Sequence, residues 1–201
     1  MNHFFRLAVL SLALVAVAQG QQAPVPPVRV RGTVQALDGE TLTLATPKDG
    51  AVKLAIGPNT GINGLVAKTV ADIGDNTFIG TTAVKDASGR WQATEVHIFP
   101  ESMRGAGEGH YAWDLPDSSM TNAAVTGAVR KGNSGTFSLK YAGGIVDVDV
   151  TPKTAIVALT PGDRSLLVPG AAVLALAVPQ AAGTPSAVAI IAETKGVKPP
   201  M

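Results

Sequence analysis

The sequence predicts an all-β protein built from two tandem five-stranded barrels. Composition is the first reason: the 201 residues are 46% hydrophobic and 15% charged, with 22 Gly and 14 Pro. This chain is too apolar to be disordered and is rich in turn formers. The second reason is that short alternating or apolar segments recur about 95 residues apart along the chain.

The first 20 residues have the pattern of an export signal. A basic start (1–6) precedes an apolar run (7–18), and small residues follow up to Gly20. The run is shorter than the ~18 to 20 residues that cross a bilayer, which disfavours the alternative of a membrane anchor. We therefore expect a periplasmic or secreted protein with no membrane span after cleavage, and a Pro-rich spacer at 21–27.

The two copies are predicted at 28–99 and 122–194, followed by a tail at 195–201. A shift of 95 residues places Gly32 and Val34 on Gly127 and Val129. One residue is then dropped, and a shift of 94 continues the match. The residues expected to be deeply buried are Val34, Leu42, Leu44, Val52 and Leu54 in the first copy, matched by Val129, Phe137, Leu139, Val146 and Val148 in the second.

Each copy is predicted to contain five strands separated by turn signals. The predicted strands are 28–37, 41–46, 51–56, 76–84 and 91–99, then 124–131, 135–141, 145–150, 171–178 and 186–193. The longest excursion lies between the third and fourth strands and has room for one short helical turn. This is the layout of a small Greek-key barrel of the OB type. A β-meander or a two-sheet sandwich is the alternative.

The segment 100–121 joins the copies and contains Tyr111 and Trp113 among its glycines. A solvated linker would not carry such aromatic rings. We therefore expect the segment to act as a clasp that docks the two barrels, each of which would be only marginally stable alone. Both rings should be substantially buried. Together with Trp91, which we place on an outward face, they are the candidate partner contacts.

A polar cluster overlaps this junction and suggests a metal site. Its members are His97, Glu101, Glu108, His110 and Asp114. Imidazole with carboxylate suits zinc or copper, although the spacing fits no established motif and no cofactor is otherwise expected. On the fifth strand the core side is predicted to be Thr94, Val96 and Ile98, which leaves Glu95 and His97 facing outward.

Several function classes are disfavoured by composition. A formal charge of +1 lacks the basic excess of nucleic-acid binders. The absence of cysteine excludes thiolate nucleophiles and Cys-ligated metals. No Gly-x-Ser-x-Gly elbow is present, so we do not expect an enzyme.

The order of these motifs resembles a family of bacterial periplasmic proteins. The resemblance rests on the Gly-Thr-Val-x-x-Leu-Asp-Gly-x-Thr-Leu-Thr-Leu start at Gly32, the segment 95–114, and a second copy after Met120. It implies OB-like domains of unknown function. Some relatives carry the label of metal ABC transporter permease, which the short apolar runs here contradict.

Two hypotheses follow from the sequence. The first is a non-enzymatic binding or scaffolding protein that holds a protein, a glycan or an envelope component. The second is a divalent-metal carrier or sensor that uses the junction histidines and carboxylates.

Overall fold

The fold is all-β, as predicted. The computed structural model describes residues 26–114 and 116–199, so the predicted export signal lies outside the described residues. In this part of the chain the strands are β1 (Val28–Asp38), β2 (Thr41–Thr46), β3 (Gly50–Ala67), β4 (Phe78–Lys85), β5 (Trp91–Ile98), β6 (Gly109–Ala112), β7 (Ser118–Lys131), β8 (Ser134–Tyr141), β9 (Gly144–Val150), β10 (Ala155–Pro161), β11 (Ala172–Val178) and β12 (Ser186–Ala192). No described helix is long and apolar enough to cross a membrane.

All ten predicted strands are present, and two more were not predicted. β3 continues eleven residues beyond its predicted end at 56, and β7 begins at Ser118, inside the predicted junction. The additional strands are β6 in the junction and β10 in the second copy. The predicted short helical turn is a single 3₁₀ turn, Val70–Asp72, with a counterpart at Arg164–Leu166.

The strands close into rings that combine both copies. In the first ring the neighbours run β12-β11-β1-β2-β3, and β3 pairs in parallel with β12 to close it. In the second ring they run β5-β4-β7-β8-β9, and β5 pairs with β9. The expectation that 28–99 and 122–194 each form their own barrel is therefore corrected: each copy gives three strands to one ring and two to the other.

The exchange has an internal pseudo-two-fold symmetry centred on β3 and β10. These antiparallel strands pair Leu65 with Leu159, which are equivalent residues under the shift of 94. The parallel contacts obey the same shift, because β12 pairs Ile190 with Ile62 while β5 pairs Val96 with Ile156. The chain is thus arranged like a strand-exchanged dimer fused into one polypeptide.

A bend repeated in both copies lies where this exchange begins. At the bend the Thr60 hydroxyl accepts from the Gly57 N–H and donates to the carbonyl of Ala187, which belongs to the other copy. Thr154 makes the equivalent two contacts, the second with Ala93. After the bend the chain continues extended, as the rest of β3 to Ala67 in the first copy and as β10 in the second. The fourth and fifth strands of each copy follow in the other ring.

The predicted alignment of the first strand is wrong by four residues. Val34 pairs with Leu44 beside a β-bulge, and the residue that pairs with Leu139 beside the matching bulge is Val125. Val129 is 75% exposed on a hairpin that is four residues longer, and Gly32 and Gly127 occupy unlike positions. A shift of four preserves the period-two alternation of a strand, so periodicity could not reveal it.

Most other residues predicted to be deep are buried. Each ring has its own core, around Leu42, Leu44 and Leu54 in the first and around Phe137, Leu139 and Val148 in the second. Val52 and Val146 are half-buried. A third cluster, of Leu65, Val157 and Leu159, lies at the seam between the rings. This seam positions the candidate site.

Candidate functional site

A largely apolar cavity of about 240 Å³ lies at the seam. Leu65 and Leu159, which lie at the centre of the pseudo-symmetry, contribute to its wall. One side is formed by β5 and the junction, and the other by β11 and β12. We call this the seam cavity. Its volume lies below the ~300 to 1,000 Å³ typical of drug-sized ligands, so it suits a smaller molecule.

A buried polar pair, Glu95 and His97, lines the seam cavity. The Glu95 side chain is 4% exposed, and its Oε1 lies 2.9 Å from Nδ1 of His97. The carboxylate oxygen can only accept, so this contact places a hydrogen on Nδ1. In the neutral imidazole, Nε2 then carries a lone pair.

The prediction that Glu95 and His97 face outward is wrong, and so is the prediction that Thr94 lies in the core. A β-bulge at Thr94 interrupts the alternation, since Thr82 pairs with Glu95 but Ala83 pairs with Ala93. Thr94, predicted to be in the core, is consequently exposed. Val96 and Ile98 face the second-ring core, and the opposite face, which carries Glu95 and His97, is covered across the seam cavity by β11, β12 and the junction.

The second copy provides a built-in comparison for this pair. Under the shift of 94 the residues equivalent to Glu95 and His97 are Ala189 and Ile191, and they line the same cavity from the opposite side. Gly80, which pairs with His97, corresponds to Leu174, which pairs with Ile191. Ordinary apolar residues therefore satisfy the fold at these positions.

Gly80 makes room for the imidazole. A Cβ on Gly80 would lie 2.1 Å from His97 Nε2 and 2.6 Å from Asn122 Oδ1. Any side chain there would displace both groups. The missing side chain thus lets the imidazole and the Asn122 amide approach the same place.

Asn122 is held by the junction. Its Nδ2 donates to the carbonyl of Ala106 at 3.2 Å and to the Tyr111 hydroxyl at 3.4 Å. A carbonyl can only accept, so these contacts determine which end of the amide is the oxygen. Burial raises the pKa of Tyr111 and the nearby Arg29 charge opposes that rise, so this hydroxyl stays protonated near neutral pH.

The junction connects the two rings, as the clasp hypothesis expects. β6 pairs with β7 of the second ring. Asp114 forms ion pairs with Arg29, at 2.8 Å, and with Arg31, both on β1 of the first ring. The Arg29 guanidinium also lies 3.5 Å from the centre of the Trp113 ring, at cation–π distance.

The aromatic residues of the junction are less buried than expected. Tyr111 is 38% exposed and Trp113 is half-buried, although both line the seam cavity. The prediction that Trp91 lies on an outward face is wrong, because the bulge at Thr94 turns this part of β5 over. Trp91 packs against the second-ring core and meets His110 edge to face, with ring centres 5.4 Å apart.

The two histidines lie on opposite faces of the sheet. His97 shares a row with Gly80 and Asn122, whereas His110 shares the next row with Thr121 and Thr81. Adjacent rows project to opposite faces. His97 therefore points to the seam cavity, and His110 donates to or accepts from the Thr121 hydroxyl at 2.8 Å.

The three carboxylates of the predicted metal cluster are also dispersed. Glu101 pairs with Arg104, Glu108 accepts from the Ala142 N–H, and Asp114 binds the two arginines of β1. Among residues 26–114 and 116–199, no group of three or more His, Asp or Glu side chains is arranged to hold a metal ion. Metal binding stays a prediction, without a shared site for the two histidines.

Sequence reasoning missed three members of the site, namely Glu95, Asn122 and Gly80. A signal for two of them existed in the repeat itself. A polar pair, Glu95 and His97, aligns with Ala189 and Ile191, and Gly80 aligns with Leu174. Where one copy has a polar or small residue and the other has an apolar one, packing alone does not explain the polar or small residue.

Comparisons with protein-family models, with curated proteins and with solved structures give no match to this chain.

Proposed function

We propose that this protein is an exported, non-enzymatic binding protein that holds a small, mostly apolar molecule in the seam cavity. The observation that carries the proposal is the buried Glu95–His97 pair on a cavity wall whose symmetry mates are apolar. Apolar pockets with a few convergent polar groups are the usual form of small-molecule sites. The export signal pattern in the sequence supports a role in the periplasm or outside the cell.

The pair argues for binding rather than for stability. A buried polar pair contributes little net stability compared with apolar residues of similar size. The fold meets the same packing requirement with Ala189 and Ile191. The junction supports the proposal as well, because it covers the polar half of the seam and connects both rings across the cavity.

The test uses 1-hexanol as a small apolar probe and Trp113 as the reporter. The chain has two tryptophans, so a Trp91→Phe background leaves Trp113, which lines the cavity, as the sole emitter. We expect saturable changes in its fluorescence and a rise in the melting temperature with hexanol.

Two matched variants locate the binding. Ala189→Phe fills the cavity and should abolish the hexanol response. Val188→Phe adds a ring on the neighbouring residue, which is 44% exposed and does not line the cavity, so the response should persist. An equal response in Ala189→Phe and the parent would contradict the proposal.

A further inference from the structure

The seam cavity contains buried hydrogen-bond acceptors that lack donors. Glu95 Oε2 and Asn122 Oδ1 are both inaccessible to solvent and have no hydrogen-bond partner among the described residues. Asn122 is 8% exposed as a residue, and the Glu95 side chain is 4% exposed. Buried polar atoms almost always have a hydrogen-bond partner. Two unpaired acceptors on one cavity wall therefore indicate that a ligand supplies the donor.

The orientation of each acceptor is determined by its other contacts. The second oxygen of Glu95 is occupied by His97 Nδ1, and the nitrogen of Asn122 is occupied by Ala106 and Tyr111. With its hydrogen on Nδ1, a neutral His97 adds a third acceptor at Nε2. Nε2 and Asn122 Oδ1 both lie where a side chain on Gly80 would be, so the two acceptors are neighbours.

The charges and walls favour one class of donor. A primary ammonium has three donors and no acceptor, which matches a set made of acceptors. It also compensates the buried carboxylate, which would repel an anionic ligand. Apolar and aromatic walls, including Phe99 and Tyr111, suit a short alkyl chain next to a cation. The arginines nearby, Arg29 and Arg31, are engaged by Asp114.

We infer that the seam cavity selects a short-chain primary amine, whose ammonium group donates to Glu95, Asn122 and His97. This inference rests on the proposed function and adds the chemistry of the ligand's polar end. The alkyl chain lies along the apolar wall formed by Leu159 and Ile191. Glu95 supplies the preference for a cation, and the absence of a side chain at Gly80 lets the His97 imidazole and the Asn122 amide lie next to each other on this wall.

The experiment compares hexylamine, 1-hexanol and hexanoate, which share a chain and differ in the polar end. Calorimetric titration of the full protein at pH 7 should give hexylamine the tightest binding, at least about tenfold tighter than hexanol, with hexanoate weakest. In Glu95→Gln, which keeps the shape and removes the charge, the advantage of hexylamine should fall about tenfold while hexanol binding stays the same. Glu40→Gln removes an equal charge from the exposed β1–β2 turn and should change neither.

The outcomes separate this inference from the proposed function. Hexanol or hexanoate binding as tightly as hexylamine overturns the amine preference and leaves the cavity a binding site. Unchanged hexylamine selectivity in a folded Glu95→Gln also overturns it. If none of the three probes binds, the proposed function itself fails. The wild-type series decides the matter even where the variant does not fold.

Discussion

The two sides of the seam are related by the repeat, yet they differ in chemistry. One side has Glu95, His97 and Gly80, and the other has Ala189, Ile191 and Leu174 at the equivalent positions. Both sides meet the same strand pairings, so the backbone does not require the polar set. Because the fold contains two copies of one unit, equivalent positions can be compared directly. A polar residue in one copy that is apolar in the other is not required by packing.

The junction follows the same asymmetry. It occurs once, between the copies, and it covers the polar side of the cavity with Ala106 and Tyr111, which hold Asn122 of β7. At the positions equivalent to Met120 and Asn122 on β7, strand β1 instead carries Arg29 and Arg31, which hold Asp114 of the junction. The first ring thus holds the junction through ion pairs, whereas the second ring pairs with it and places Asn122 against it at the cavity.

The largest expected effect tests whether the rings are one folding unit. Phe137→Ala in the second ring should lower the free energy of unfolding by about 3 to 5 kcal/mol, and Leu42→Ala in the first by about 2 to 5 kcal/mol. Because every ring contains strands of both copies, each variant should unfold in a single transition seen by calorimetry and by far-UV circular dichroism. Two separate transitions, of which each variant shifts only one, would show that the rings unfold independently and are not one folding unit.

The second prediction converts the polar side of the seam into the apolar one. His97→Ile alone leaves Glu95 without its partner and should cost roughly 1 to 3 kcal/mol in urea unfolding. The double variant Glu95→Ala with His97→Ile copies the other side and should recover that loss to within about 1 kcal/mol of wild type, because apolar replacement of a buried pair is often neutral. It should also lose hexylamine selectivity. A double variant less stable than His97→Ile would show that the pair is structural.

The third prediction concerns the two hairpins. Val125→Ala should cost about 2 kcal/mol, since this side chain is 1% exposed in the second-ring core. Val129→Ala, on the extended hairpin, should change stability by less than about 0.5 kcal/mol. Denaturant melts of both variants measure the difference, and a larger loss for Val129→Ala would restore the ungapped alignment.

The smallest effect is a pH dependence in the second ring that has no counterpart in the first. Burial lowers the pKa of His110, and the Lys85 charge lowers it further. The unfolded chain then binds a proton more readily than the folded one, so stability is lost as the pH falls below about 6.5, the unfolded value. His110→Gln should lose less stability than wild type between pH 7 and pH 5 in thermal melts. An identical pH profile for the two proteins would contradict this assignment.

Much of the fold could be predicted because strand signals are local. Alternation and turn residues located all ten predicted strands, and the repeat identified Leu42 with Phe137 and Leu54 with Val148 as matching core positions. Parts of the site were also within reach, since His97 and the junction aromatics were singled out. Their arrangement was not, because strands of the other ring cover the face that carries Glu95 and His97, and because the bulge at Thr94 turns Trp91 toward the second-ring core.

The amino-acid sequence by itself determined the all-β class, the duplication and the turns, because these depend on side-chain period and on neighbouring residues. Only the tertiary structure decided which strands close each ring. Beyond Thr60 and Thr154, each of which bonds a strand of the other copy, the later strands of each copy join the other ring. Equivalent strands have nearly the same backbone hydrogen bonds to offer in either arrangement. The seam and its cavity exist because of that exchange. Strand partners far apart in sequence are chosen by the packing of the whole chain, which no local pattern records.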